Sequence, residues 1–177
     1  MNTGLKKAIF LDRDGTIIID KVYLNDVAGV EYLPGAFESL KKMQEAGYLL
    51  LIATNQSGIA RGIVQLENLH AIHDKINQDC LNLGIKIDGF YYAPYSVESN
   101  HEMRKPNPGM LLTGAKEHQV DLTRSFMIGD RETDVEAGLS AGTKTILLSP
   151  KVTVSKADFV CEDLVQATQF ILQYNEK

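Results

Sequence analysis

Short apolar runs alternate with segments of helical periodicity along the chain. The runs "KAIFL", "YLLLIAT", "IDGFYYAP", "SFMIGD" and "TKTILLS" are rich in strand-forming residues and predict five β-strands. A short sixth strand and a final helix are predicted within "DFVCEDLVQATQFILQY". Strands that alternate with helices pair in parallel, and right-handed crossovers place the helices on both faces of the sheet. The pattern therefore predicts an α/β fold with a Rossmann-like parallel sheet.

The predicted helices have recognisable ends. The first covers about residues 34–47, since proline stands near its first turn and glycine at its end. In the second, over residues 66–83, apolar side chains recur at steps of three or four and form one helix face. A third is predicted from Pro108 to about His118, and a fourth covers "TDVEAGLSA". These helices supply the crossovers that a parallel sheet requires.

Polar residues concentrate where the predicted strands end. They are Asp12, Asp14, Gly15 and Thr16 after the first strand, Thr54 to Gly58 at the end of the second, Arg104 and Lys105 in the loop after the third, and Gly129 to Asp134 at the end of the fourth. Ligands of open α/β sheets bind outside the carboxyl ends of the strands. We therefore expect these residues to meet at one edge of the sheet.

The acidic residues of that edge predict a bound cation. Asp12, Asp14, Asp130 and in some arrangements Asp134 would repel one another strongly, and a partly buried site tolerates this only with a cation or shifted pKa values. A ligand set of oxygen atoms without thiolates favours Mg²⁺. Taken singly, an Asp-Gly turn or a helix cap would explain each residue equally well.

The same edge suits a phosphoryl group. A metal ion, the Thr54 hydroxyl and the Lys105 cation together neutralise and orient phosphoryl oxygens. Asp12 can attack phosphorus and form an aspartyl phosphate, while Asp14 protonates the departing oxygen and later activates water. Successive strand residues face opposite sides, so both carboxylates share a side only if the strand ends there, and Arg13 is expected to point elsewhere.

Four sequence motifs resemble those of the haloacid dehalogenase superfamily, in their usual order. They are "DRDGT", "TNQ", the lysine of "RKP" and "GDRETD". The resemblance implies a capless core in which Asp12 is the nucleophile, Asp14 the general acid and base, and Thr54 and Lys105 hold the phosphoryl oxygens. It also implies Mg²⁺ on the Asp12 carboxylate, the Asp14 backbone carbonyl and Asp130. Supporting roles fall to Gly129 and Asp134.

Longer stretches are similar to the D-glycero-D-manno-heptose 1,7-bisphosphate phosphatases, sister enzymes of the histidinol-phosphate phosphatases. The stretches are "FLDRDGTI", "TNQSGIARG", "RKPNPGM" and "MIGDRETD". The similarity implies hydrolysis of the 7-phosphate, in the synthesis of nucleotide-activated heptose for bacterial surface glycan. Histidinol phosphate or another small phosphomonoester is the alternative substrate. The implied substrate-binding residues are Asp20, Lys21, Val22, Tyr23, Thr54, Asn55, Gln56, Ser57, Arg61, Arg104, Lys105 and Arg131.

One departure from that family concerns a structural zinc. Family members usually carry cysteine and histidine ligands in a loop before "RKP", where the aligned positions here are Ala93, Tyr95, His101 and Met103. Zinc needs about four ligands with cysteine or histidine among them. We therefore expect "APYSVESNHEM" to be a metal-free loop, which packing of Tyr91, Tyr92 and Pro94 holds in place.

Composition narrows the class of protein. The chain of 177 residues has the size of one domain, predicted over residues 1–177, and a net charge of −5 disfavours nucleic-acid binding. No run reaches the roughly 20 apolar residues of a membrane span. Two cysteines without Cys-x-x-Cys spacing suit a reducing compartment, so we expect the protein to be cytoplasmic. We also expect a monomer. Without a cap domain, the loop from Gly15 to Leu33 has to cover the site.

Two other functions use similar residues. A signalling receiver domain also places aspartates, threonine and lysine on a parallel sheet, but its phosphorylated aspartate would follow the third strand, where "YYAP" offers none. A noncatalytic phosphosugar binder is disfavoured because every expected catalytic side chain is present. His70 and His73 lie three apart on a helix without a third ligand nearby, so we interpret them as a solvated helix face rather than a metal pair.

Overall fold

One parallel sheet organises the chain. A computed structural model describes residues 4–151 and 154–174, so the ends of the predicted domain 1–177 and residues 152–153 lie outside the described residues. Within that part the strand order is β3-β2-β1-β4-β5-β6, and every neighbouring pair is parallel, as predicted. The strands are β1 Lys7–Leu11, β2 Tyr48–Asn55, β3 Gly89–Ala93, β4 Phe126–Gly129, β5 Lys144–Leu148 and β6 Phe159–Cys161.

Helices connect the strands as the periodicity indicates. They are α1 Ala36–Glu45, α2 Ser57–Ala60, α3 Leu66–Asn82, α4 Gly109–His118, α5 Glu132–Ala141 and α6 Leu164–Tyr174. The single turn α2 was not predicted, because four residues are too few to show a helical period. The other boundaries lie close to the predicted ones.

Two hydrophobic clusters sandwich the sheet. Ile9 and Leu11 of β1 belong to one cluster, together with buried residues of α1, α3 and α6. Ala8 and Phe10 belong to the other, together with buried residues of α4 and α5. Because side chains alternate along a strand, a central strand covered on both faces must be apolar throughout. This burial explains the unbroken apolar runs in the sequence.

The order of the strands creates a crevice beside β1. The chain runs outward from β1 through β2 and β3, and then returns to the other side of β1 to form β4. Immediately beyond β1, the Asp12 amide still donates to the Ile128 carbonyl of β4 at 2.9 Å. A reversal of this kind is the point at which α/β sheets bind ligands. Most of the predicted site residues lie at this crevice.

The segment between β1 and α1 folds back over the same edge. Gly15, at φ +78°, starts the turn, and its amide donates to the Ile18 carbonyl at 2.8 Å. Further along, the Ile19 amide donates to the Glu31 carbonyl at 2.8 Å, and this bond draws the two halves of the loop together. The loop thereby reaches the crevice that it was expected to cover.

Candidate active site

A buried lysine links the two sides of the crevice. Lys105 is 2% exposed, and its Nζ donates to Asp12 Oδ1 at 2.8 Å, to Asp134 Oδ1 at 2.6 Å and to the Ala53 carbonyl at 2.7 Å. Burial by itself lowers the pKa of Lys105, but the two carboxylates outweigh burial and raise that pKa to about 12. Lys105 therefore stays cationic and fixes the orientation of Asp12.

Asp134 also caps the helix that begins beside the crevice. Its second oxygen, Oδ2, accepts the Arg131 amide at 3.0 Å, at the start of α5. Burial raises the pKa of Asp134, and Lys105 opposes this rise. A Cβ atom at Gly129 would collide with the Asp134 side chain, so glycine is required at the end of β4. Asp134 and Gly129, for which the sequence predicted supporting roles, therefore contact each other beside the crevice.

One oxygen of Asp130 has no hydrogen-bond partner among the described residues. This atom, Oδ1, is buried, and ligand atoms of Asp12, Asp130 and Asp134 lie within 4.8 Å of one another. Burial raises the pKa of Asp130, and the negative charges of Asp12 and Asp134 raise it further. A divalent cation would satisfy the orphaned oxygen and offset this repulsion, so the residues fit the Mg²⁺ that the sequence predicts.

Arg13 does not point away from the site, in contrast to the prediction. Its guanidinium donates through Nε to Asp14 Oδ2 at 3.1 Å and through Nη2 to Asp14 Oδ1 at 3.0 Å. Strand alternation does not apply here, because β1 ends at Leu11 and the backbone turns. Burial raises the pKa of Asp14, and the neighbouring Arg13 charge opposes that rise. The acid predicted to transfer protons is therefore held by a buried cation.

Side chains from the end of β2 complete the wall behind Asp14. Gln56 Nε2 donates to Asp14 Oδ2 at 3.0 Å and to Thr54 Oγ1 at 2.9 Å. Asn55 forms a reciprocal pair with the Lys105 backbone, in which its Nδ2 donates to the carbonyl at 2.9 Å and its Oδ1 accepts the amide at 3.0 Å. The "TNQ" motif therefore positions Asp14 and Lys105 in the structure.

A cleft of about 320 Å³ opens in front of these residues. Its walls contain most of the predicted site residues, namely Asp12, Asp14, Asp20, Val22, Tyr23, Asn55, Gln56, Ser57, Arg104, Lys105, Arg131 and Asp134. Gly58, Glu132 and Thr133 also line the cleft; they lie in the polar strand-end segments that the sequence indicated, but no individual role was predicted for them. Each of these three is a direct neighbour of a predicted residue, so the signal lay in the strand–turn–helix context.

Three predicted substrate-binding residues do not line the cleft. Lys21 pairs with Glu31 at 3.3 Å, because the turn at residues 20–23 directs it outward. Arg61 is exposed and donates to the hydroxyl of Tyr23, which itself lines the cleft. Thr54 is buried behind Gln56 and Asp14, so its hydroxyl faces those side chains rather than the cleft.

The rim of the cleft carries an ion pair and an exposed apolar residue. Arg131 donates through Nη2 to Asp20 Oδ2 at 2.8 Å, which joins the loop after β1 to the start of α5. Val22 has φ +65° and is 77% exposed, an unusual conformation for a β-branched residue, and Asp20 Oδ1 accepts its amide at 2.7 Å. Arg104 lies on the same rim and gives it a second cation.

The loop between β3 and α4 is held by an aromatic stack. The rings of Tyr95 and His101 lie parallel within 11°, with centroids 3.5 Å apart. Tyr91 and Tyr92, which were predicted to hold this loop by packing, belong to β3, and their hydroxyls pair with Glu117 and His70. Two of the positions aligned with zinc ligands thus contact each other.

His73 is buried, so the prediction of a solvated face was wrong for this residue. It is 6% exposed, and its ring stacks on Phe90 of β3 with centroids 4.9 Å apart. His70 is exposed, as predicted, and its Nε2 lies 3.2 Å from the Tyr92 hydroxyl. Helical periodicity alone did not show that His70 is exposed and His73 buried, because His73 lies on the border of the apolar face of α3.

Fold and site together indicate a class of enzyme. Acids follow the first and fourth strands of a parallel sheet, and a lysine from the third crossover reaches both. A family model described as HAD-hydrolase-like matches residues 102–167, which include Lys105 and the acids of α5. Within the described residues, no helix has the length and apolar character to span a membrane.

Comparisons over nearly the whole chain define the family. The D-glycero-beta-D-manno-heptose-1,7-bisphosphate 7-phosphatase of Helicobacter pylori J99 is 46% identical over 80% of this chain and 82% of its own. That of Pasteurella multocida Pm70 is 37% identical over 96% and 92%. The crystal structure of the D,D-heptose 1,7-bisphosphate phosphatase of B. bronchiseptica, complexed with magnesium and phosphate, has a TM-score of 0.87 at 30% identity and covers 95% and 99%. The chain belongs to this phosphatase family.

Proposed function

We propose that this chain is a Mg²⁺-dependent phosphatase that hydrolyses the 7-phosphate of D-glycero-D-manno-heptose 1,7-bisphosphate through an aspartyl phosphate. The assignment of this substrate rests on the 37% sequence identity to the Pasteurella phosphatase over 96% of this chain. The names of the relatives specify the β anomer, and we propose the same preference here. Histidinol phosphate or another small phosphomonoester is the alternative.

The first step transfers the phosphoryl group to Asp12. A carboxylate oxygen of Asp12 attacks phosphorus, and the bond from phosphorus to the sugar oxygen breaks. Lys105 orients the nucleophile through its 2.8 Å bond to Oδ1, which leaves Oδ2 for the attack. Asp14 gives its proton to the departing oxygen, and the burial that raises its pKa favours this protonated form.

The second step returns the enzyme to its starting state. The Asp14 carboxylate removes a proton from a water molecule, whose oxygen attacks phosphorus and releases inorganic phosphate together with the free Asp12 carboxylate. Arg13 and Gln56 hold both Asp14 oxygens in place during these transfers. Asp14 is thus protonated again at the end of the cycle, with a proton taken from the attacking water.

The carboxylates provide a place for the metal. We propose that Mg²⁺ binds the Asp12 carboxylate, the Asp14 backbone carbonyl and Asp130, whose Oδ1 is buried and unpartnered. When bound, the ion neutralises the charge of the phosphoryl oxygens. Asp134 is less available, because Lys105 and the Arg131 amide occupy both of its oxygens. Activity should depend on added magnesium. Metal analysis of the purified protein should find no stoichiometric zinc.

The remaining cleft residues are proposed to bind the sugar and its second phosphate. Arg104 and Arg131 supply guanidinium groups on the rim, and the side chains of Asp20, Val22 and Tyr23 face the same space. Guanidinium groups bind phosphate oxygens in a fixed, two-pronged geometry. Thr54, Lys21 and Arg61 would have to move to touch the substrate, so we propose that they act through their neighbours.

The proposal is tested by a substrate panel. Phosphate release is measured from the α and β anomers of heptose 1,7-bisphosphate, from histidinol phosphate and from fructose 1,6-bisphosphate, and the kcat/KM values are compared, since their ratio measures specificity. The β-heptose substrate should give the highest value, with ³¹P NMR showing that the 1-phosphate remains. A higher kcat/KM for histidinol phosphate would replace the proposal with its alternative. Localisation in the cytoplasm and a monomeric state stay predictions.

A further inference from the structure

The buried guanidinium of Arg13 contacts both Asp14, the proposed general acid and base, and α3, a helix that contains none of the motif residues. Arg13 is 1% exposed, and two of its nitrogens bond the two Asp14 oxygens. Its third nitrogen, Nη1, lies 3.2 Å from His73 Nε2, on α3 and 60 positions along the chain. The haloacid dehalogenase motifs contain Arg13 only as the residue between two aspartates, and they do not contain His73.

The His73 ring can only accept in this contact. Arginine has donors and no acceptor, so His73 Nε2 receives the bond and its proton stays on Nδ1. Burial, and after it the nearby Arg13 and His70 charges, lower the pKa of His73 to about 3, which keeps the ring neutral. The stacking of this ring on Phe90 fixes its plane. His73 is therefore a rigid, neutral acceptor aimed at the buried cation.

The contact between Arg13 and His73 holds the guanidinium that binds the Asp14 carboxylate. A two-pronged pair with arginine fixes both the direction and the rotation of a carboxylate, but only if the guanidinium is itself held. His73 holds the outer nitrogen of Arg13, while Gln56 holds Asp14 from the other side at 3.0 Å. Without the acceptor, Arg13 would keep a buried donor unpaired and would rotate to find another partner.

We propose that Arg13 and His73 are positioning residues, which hold the Asp14 carboxylate in the orientation needed to transfer protons to the leaving group and from water. The inference rests on the proposed function of Asp14. It extends the site to α3, which contributes no residue to the lining of the cleft. The positions differ from the predicted site residues, because neither side chain lines the cleft.

The test separates the two chemical steps with p-nitrophenyl phosphate. Its leaving group departs without a proton, so phosphorylation of Asp12 no longer needs Asp14, whereas hydrolysis of the aspartyl phosphate still does. The substitution His73→Leu removes the acceptor. We expect its kcat on heptose bisphosphate to fall about 10- to 100-fold, as for displacement of a reacting group by about 1 Å, with KM within about twofold of wild type.

Stopped-flow measurements give the distinguishing signature. In His73→Leu, p-nitrophenol should appear in a rapid burst of about one molecule per active site, followed by a slow steady state. His73→Gln places an amide oxygen near the former Nε2 and should recover most of kcat. Arg13→Lys keeps the buried charge but cannot reach Asp14 and His73 together, so it should show the same burst. This variant provides the test if His73→Leu fails to fold.

A merely structural role predicts a different result. Misfolding would lower the burst amplitude and the steady-state rate in the same proportion, as would loss of metal, and His73→Gln would not recover activity. That result, or a wild-type kcat in folded His73→Leu, overturns the inference. His70→Gln, an exposed histidine on the same helix, is the matched control and should behave as wild type.

Failure of the proposed substrate gives a separate result. If wild-type protein does not hydrolyse heptose bisphosphate but cleaves p-nitrophenyl phosphate, the substrate proposal fails. The burst comparison still decides the roles of Arg13 and His73, because it needs only the aryl substrate. The two proposals therefore fail independently.

Discussion

At the scale of single residues, the site is a balance between crowded carboxylates and buried cations. Asp12 and Asp134 share one lysine, Asp14 has its own arginine, and Asp130 keeps an unpartnered oxygen. Removal of one partner from a buried pair leaves an uncompensated charge. Each of these residues therefore has a separate consequence when it is replaced.

Asp12→Asn tests the nucleophile. The amide can still accept the Lys105 bond, so the fold should persist, but it cannot displace the leaving group. Loss of a nucleophile of this kind lowers kcat by about 10⁴-fold or more. Phosphate release and far-UV circular dichroism check the two parts of the prediction. A folded Asp12→Asn variant with a wild-type kcat would refute the assignment.

The buried histidine links stability to pH. Unfolded His73 takes up a proton below its ordinary pKa of 6.5, whereas the folded protein resists protonation down to about 3. The stability that neutral His73 confers is thus complete above pH 6.5 and is lost as pH falls toward 3. Relative to His73→Gln, the wild-type free energy of unfolding should drop by about 1.4 kcal/mol per pH unit in that window.

Urea titrations of both proteins at several pH values measure this difference. Comparison with one variant is needed because the raised pKa values of Asp130 and Asp134 act in the opposite direction. Gln78→Ala, an exposed change on the same helix that removes no titrating group, is the control. A difference between wild type and His73→Gln that stays constant with pH would show that His73 is not buried as a neutral ring.

At the scale of elements, turns after the strands bring the acids together. Gly15 follows β1 at φ +78°, and a Cβ atom there would collide with the Asp130 carboxylate after β4. Because two adjacent parallel strands end at the same edge, one tight turn determines the distance between their acids. The glycine therefore shapes the proposed metal site although it supplies no side-chain ligand.

Gly15→Ala should weaken magnesium binding and lower activity. The new Cβ atom pushes on Asp130, and the left-handed conformation adds about 1–2 kcal/mol of strain. Gly62→Ala is the matched control, since Gly62 has φ +69° but, its two chain neighbours aside, no atom of the described residues lies within 4 Å of its Cβ position. Isothermal titration with Mg²⁺ compares the two. Equal affinities in both variants would contradict the role given to the turn.

The elements were largely predictable and the side-chain directions were not. Apolar runs revealed all the strands of the described residues, because burial on both faces leaves a continuous signal. Arg13 and His73 were misplaced because their directions depend on each other across 60 residues, and neither periodicity nor a local motif encodes that contact. Lys21 was misplaced for a similar reason, since its partner Glu31 is on the far half of the same loop.

At the scale of the whole molecule, the sheet order explains why distant segments share one site. The motif order along the chain indicated which residues cooperate, but the placement of β1 between β2 and β4 comes from the structure. The cleft combines side chains from the first loop, β2, the third crossover and α5. Binding of the metal at this junction should therefore stabilise the entire fold.

Magnesium should raise the unfolding temperature of the wild-type protein. At a free concentration of about 100 times its Kd, the ion contributes about 2.7 kcal/mol, which corresponds to roughly 5–10 °C for a chain of this size. Asp130→Asn should abolish the increase. Asp74→Asn, which removes an exposed acid on α3, should keep it. Differential scanning calorimetry measures the shift, and a full increase in Asp130→Asn would exclude that residue as a ligand.

In the proposed mechanism, Asp12 carries the phosphoryl group during turnover. Wild-type protein is mixed with excess β-heptose 1,7-bisphosphate and Mg²⁺, quenched in acid within milliseconds, digested and analysed by peptide mass spectrometry. We expect a phosphoryl adduct on the peptide that contains "AIFLDRDGT", with fragment ions that place the adduct on Asp12. An adduct on another residue, or phosphate release at full rate while Asp12 stays unmodified at every quench time, would contradict it.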